Sequence, residues 1–84
     1  MTEREQILNI LNLLVKPMFD EIIEFEIGDK FIYDRLGENP VYQLKVIVEG
    51  TDEEQEMDIE DEIISVLKYI NLQNRVMIRH VTPY

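Results

Sequence analysis

Between Tyr42 and Val48 the chain alternates: Tyr42, Leu44, Val46 and Val48 take every second position, with Gln43, Lys45 and Ile47 between them. A period of two sends successive side chains to opposite faces of an extended backbone, so this segment is committed to a strand with one buried side. That commitment constrains the rest of the molecule. A strand needs neighbours to satisfy its N–H and C=O groups, and a one-sided strand needs a second layer to cover it. The chain must supply both within 84 residues, the size of one small domain with a single core.

The neighbours are legible in the same way. Ile23, Phe25 and Ile27 alternate with Glu24 and Glu26, which is the pattern of a half-buried strand. Gly28-Asp29 reads as a two-residue hairpin loop, with Gly supplying a positive φ. Lys30 to Leu36 then returns as a second strand, closed by the punctuation Gly37-Glu38-Asn39-Pro40. Val41 to Glu49 is the third strand. Arg75 to Val81, bounded by Asn74 and Pro83, is the fourth.

Two segments switch to helical spacing. Thr2 and Glu5 form a Thr-x-x-Glu capping box. Behind it Ile7, Ile10, Leu11, Leu14 and Met18 share one face, widened by Leu8, Val15 and Phe19. Pro17 cannot donate to the Leu13 carbonyl, so the helix stops near Lys16, with a short extra turn to about Asp20. The second helix begins after Gly50, with Thr51 and Glu54 as its capping box. It carries the stripe Ile59, Ile63, Val66, Leu67, Ile70 and stops at Asn71. The expected fold is a single α+β domain over residues 1–84 in the order α-β-β-β-α-β. Its four-stranded, mostly antiparallel mixed sheet carries both helices on one face. Because the second helix reverses the chain, the last strand runs parallel to the first and third and sits beside one of them at an edge. The order invites comparison with RNA-binding folds of the KH kind. The chain lacks their Gly-x-x-Gly loop and a basic groove, so direct nucleic-acid binding is not expected.

Charge is the second constraint. Nine of the fourteen residues from Glu49 to Glu62 are acidic and none is basic, whereas the other nine acids are set against all eight bases. The formal charge of −10 is therefore almost wholly local. Acids in a first helical turn are favoured by the helix dipole at roughly 0.3–1 kcal/mol each. Residues 63–84 carry no acid and hold Lys68, Arg75 and Arg79, so the bland reading is a solvated, dipole-matched helix. It leaves Asp58, Glu60, Asp61 and Glu62 unexplained, beyond the first turn and repelling one another.

Three functional readings compete with it. The acids Glu54, Glu56, Asp58, Glu60, Asp61 and Glu62 form a docking surface for a basic protein, where charge steers association. Alternatively, Glu54, Asp58, Asp61 and Glu62, spaced roughly 5–6 Å along a helix face, imitate a nucleic-acid backbone and occupy a DNA-binding protein. Thirdly, Asp52, Glu54, Glu56, Asp58 and Glu60 mimic the alternating ligands of a calcium loop. That pattern fails at its diagnostic sixth and twelfth positions, which hold Met57 and Ile63.

Nothing else in the chain carries a catalytic signature. His80 reads as a strand residue at the rim of the core, and Ser65 lacks the Gly-x-Ser-x-Gly setting of a nucleophile. There is no cysteine, hence no thiolate metal site, and no cofactor is expected. The sheet's second face, with Glu24, Glu26, Gln43, Lys45, Ile47, Arg75, Met77, Arg79 and Val81, reads as a solvated surface or a platform for protein contact. Self-association through that face or through an edge strand is a further expectation. The expected protein is a non-enzymatic, cytoplasmic interaction module (adaptor, accessory subunit or inhibitor) with a basic partner and no membrane contact. A small metal-dependent enzyme is the alternative furthest from the residues. Short acidic chains without enzymatic motifs are common in bacteriophages and mobile elements, which sets the expectation of origin.

Overall fold

A computed structural model describes residues 2–33 and 40–83, with side chains described for all of these except 29–33. Helix α1 (Glu3–Leu14) leads through a short 3-10 turn (Lys16–Met18) into strand β1 (Ile22–Tyr33). Strand β2 (Pro40–Val48), helix α2 (Glu53–Lys68) and strand β3 (Val76–Val81) follow. The sheet order is β1-β2-β3, with β1 antiparallel and β3 parallel to the central β2.

The expected four-stranded sheet is therefore corrected to three strands, because the first two expected strands are one. Gly28-Asp29 does not reverse the chain but lies within β1. Ile27 stands opposite Leu44 and Phe31 opposite Tyr42, so Gly28, Asp29 and Lys30 together face the single residue Gln43. A smaller irregularity occurs where Ile22 pairs with Val48 and Glu24 with Ile47. These bulges absorb three extra residues, which lets the 12 residues of β1 lie along the 9 of β2. Glycine inside an alternating run marks a bulge as readily as a turn, and period alone does not separate the two. One long strand keeps Phe25 and Ile27 against the core while β2 pairs along its whole length. The expected strand end at Asp34–Leu36 and the Gly37–Asn39 punctuation lie outside the described residues. The placement of the last strand follows the expectation only in part. β3 lies at an edge and parallel to β2, but merging the first two expected strands leaves it antiparallel to β1. With one antiparallel and one parallel pairing, the sheet is mixed and not mostly antiparallel.

Both helices pack on one face of the sheet around a single core. Tyr42, Leu44, Val46 and Val48 from β2 meet Ile7, Leu11 and Val15 from the first helical segment. Ile59, Ile63, Val66 and Leu67 from α2 and Ile22, Phe25 and Ile27 from β1 complete it. Leu44, Val46, Ile59, Ile63 and Leu67 are wholly inaccessible, and burying each such side chain is worth about 1.5–3 kcal/mol. The apolar face of α1 is narrower than its sequence suggests. Val15 is buried, whereas Leu14, the last residue of α1, is exposed, and Met18 is exposed because the 3-10 turn at Pro17 takes it off the helical phase. Thr2 caps α1 by accepting from the Glu5 N–H at 3.2 Å.

Two arginines tie the layers together. Arg4 Nη2 donates to the Ile27 carbonyl at 3.2 Å. Arg75 pairs with Glu3 at 3.0 Å, donates to the Pro40 carbonyl at 3.3 Å and lies 5.9 Å from the Tyr42 ring centroid. The sequence placed Arg75 on the open sheet face. Sitting just before β3, it instead wraps to the helical side and clamps the start of α1 to the sheet.

Candidate functional site

The acidic run builds the start of α2, but its cap lies one residue later than the sequence suggested. Asp52, not Thr51, is the N-cap. Its side chain accepts from the Gln55 N–H at 2.8 Å, and the Gln55 side chain accepts from the Asp52 N–H at 3.0 Å. Either Thr-x-x-Glu or Asp-x-x-Gln satisfies two orphan donors; Asp52 wins with the extended backbone of a cap (φ −102°, ψ 177°). The far end closes at Asn71, whose φ of 58° puts it in the left-handed region that asparagine tolerates. The Leu72 N–H then reaches back to the Leu67 carbonyl and the Asn71 N–H to Lys68, the paired bonds of a Schellman ending. The Asn71 stop expected from sequence is thus realised three residues past the last helical residue, Lys68.

Helical phase divides the acids. At about 100° per residue, Glu53, Glu56 and Glu60 fall on one flank of the buried stripe, in phase with Met57 and Ile64. Glu54, Asp58 and Asp61 fall on the outward side, with Glu62 turned toward the opposite flank. Exposure follows the phase: Glu54, Asp58 and Asp61 are exposed, whereas Glu56, Glu60 and Glu62 are half-buried. The six acids singled out from the sequence therefore do not form one surface. Glu54, Asp58, Asp61 and Glu62 stay together, while Glu56 and Glu60 belong to the other flank with Glu53.

That second flank lies along β3. A shallow groove of about 250 Å³ is lined by Glu53, Glu56, Met57, Glu60 and His80. A neighbouring groove of about 240 Å³ shares Glu60 and adds Ile64, Gln73, Val76, Met77 and Ile78. His80 sits at the rim of the core, as the alternation with Val76 and Ile78 predicted, with 12% of its side chain accessible. Its Nδ1 lies 3.6 Å from Glu60 Oε1, while Nε2 is buried with no hydrogen-bond partner among the described residues. Gln73 Oε1, in the neighbouring groove, is likewise buried without one. Buried polar atoms are nearly always satisfied, so two orphans along one edge mark the strip out. Sequence reasoning missed this arrangement. Glu53, Glu56, Glu60 and Ile64 recur at a shared helical phase, but nothing in the sequence says which flank meets β3.

The other candidates are weaker in three dimensions. The calcium-like positions lie in a helix from Glu53 onward, which turns alternate residues away from one another. Among the described residues no group of three or more His, Cys, Asp or Glu side chains comes together to hold a metal. Ser65 is exposed in mid-helix. On the open sheet face Glu26, Lys45 and Arg79 stand in one row across the three strands, and Glu24, Ile47 and Val81 in the next. No helix among the described residues is long and apolar enough to cross a membrane. Comparison with protein-family models, with curated proteins and with solved structures finds no match.

Proposed function

We propose that this chain is a non-enzymatic interaction module that presents the outward side of α2 to a basic protein partner in a cytosolic setting. The supporting observation is the state of Glu54, Asp58, Asp61 and Glu62. They share one side of a helix, the first three are exposed, and none forms an ion pair with another described residue. Like charges one helical turn apart cost roughly 0.2–0.5 kcal/mol per pair, and the cap needs none of these four. A basic partner would relieve that repulsion and be steered by it. The same spacing favours a second reading, in which the partner is a DNA-binding protein and the helix side stands in for phosphates.

Affinity capture from the native lysate, followed by mass spectrometry, tests both. A basic protein retained at low salt and released as salt rises supports the module. Retention that rising salt leaves unchanged contradicts it. Competition by duplex DNA separates the readings: displacement of the partner supports mimicry, and indifference to DNA removes it.

A further inference from the structure

Strand β3 ends the sheet, and its outer edge is unpaired among the described residues. In a parallel pair each residue aims its N–H and C=O at the same neighbour, alternately inward and outward along the strand. The Tyr42 N–H bonds the Arg75 carbonyl at 2.8 Å and Tyr42 is in register with Val76. Arg75, Met77 and Arg79 therefore bond β2, and the backbone groups of Val76, Ile78 and His80 face outward. Such an edge is a template for another strand unless it is blocked by proline, a bulge or an inward charge. Val76–Val81 contains no proline, and its register with β2 runs without a shift.

The strip beside this edge is chemically graded. Near Val76 it is mostly apolar, with Ile64 and Met77 beside Gln73. Glu60 is shared between the groove at Ile78 and the groove at His80, and near His80 the strip is acidic, with Glu53 and Glu56 beside Met57. An added strand would turn alternate side chains into the strip about every 6.6–6.8 Å. Its first inward residue would meet the apolar end and the next two would meet carboxylates. We propose that β3 takes an extended basic segment of a partner protein as a fourth strand, with one apolar and two cationic residues at alternate positions. Main-chain hydrogen bonds to Val76, Ile78 and His80 supply the register, and Glu53, Glu56 and Glu60 select for cations. The proposal rests on the preceding reading only in taking the partner to be basic. It uses the opposite flank of α2, so the two can fail separately.

The test uses the full chain, ¹⁵N-labelled, and three synthetic heptapeptides. The first, Thr-Ile-Thr-Lys-Thr-Arg-Thr, is used together with its reversed sequence because strand direction is left open. The second has the same composition with Ile, Lys and Arg adjacent, so that charge is kept and alternation is lost. The third replaces Lys and Arg by Glu. The expected result is binding of the first peptide in one of its two directions, with amide exchange at Val76, Ile78 and His80 slowed about tenfold or more. The second and third peptides should bind at least about tenfold more weakly. Glu53→Gln, Glu56→Gln and Glu60→Gln combined should remove the preference for Lys and Arg over Glu while leaving the fold intact.

Equal binding of the first two peptides with unchanged edge amides would overturn the strand addition and leave the acidic outward surface standing. Equal binding of the first and third would overturn the cationic selection. Edge amides already protected without peptide, in a species of twice the mass, would give the edge to a second copy of this chain and also overturn the proposal. So would failure of the alternating peptide to bind in either direction.

Discussion

The two sides of α2 carry the same kind of side chain in different surroundings. On the outward side Glu54, Asp58 and Asp61 project into solvent. On the β3 side Glu56 and Glu60 are half-buried, and Glu60 lies 3.6 Å from the ring nitrogen of His80. In the sequence these acids form one block; on the helix they form two surfaces, because residues two apart point in nearly opposite directions. Charge runs in a helix should therefore be divided by phase before they are read as sites. Between the two acidic sides runs the buried stripe Ile59, Ile63, Val66 and Leu67, which fixes the helix to the sheet and thereby decides where each acid points.

Substitutions on the two sides of α2 and on the stripe between them should differ in the size of their effects. The largest effect belongs to the stripe. Ile63→Ala removes a side chain with 0% exposure and should cost about 2–5 kcal/mol. Each kcal/mol should lower Tm by roughly 4–8 °C in a domain of this size. A loss below about 1 kcal/mol in urea unfolding would show that α2 is not held by this contact. Asp52→Ala comes next. It removes the N-cap and should cost about 1 kcal/mol, whereas Thr51→Ala should stay within about 0.5 kcal/mol. The reverse order would return the cap to Thr51.

Changing Glu54, Asp58, Asp61 and Glu62 together to Gln should leave thermal stability unchanged or slightly raised, through relief of repulsion. A marked fall would mean that these acids serve the fold. The smallest effect should come from Glu60→Gln. Its pair with His80 is long and the carboxylate is 41% accessible, so solvent screening should hold the change under about 1 kcal/mol.

Legibility varied with how local the cause was. The strand at Tyr42–Val48 and the stripe of α2 were plain, because a single period decides each and the burial follows it. The position of His80 was readable for the same reason, and the stop near Pro17 from the N–H that proline lacks. The Gly28-Asp29 segment was not. A hairpin turn and a bulge share their residues, and only pairing with β2 over long range selects between them. Arg75 was misplaced because alternation was extended one residue beyond the strand, where contacts with Glu3, 72 residues away in sequence, take over. The groove along β3 needed the packing of α2 against a strand that follows it by eight residues. Of the acids singled out, the sequence identified the helix but not the division between its sides.

The measurement that bears most directly on the function is a titration of the captured basic partner against two proteins: the native chain and the chain with Gln at positions 54, 58, 61 and 62. Their unfolding curves should be recorded in parallel. The two proteins should unfold alike, and the substituted chain should lose affinity by at least about tenfold, or about 1.4 kcal/mol, with a shallower dependence on salt. Equal affinity and equal salt dependence in the two proteins would contradict the proposed function.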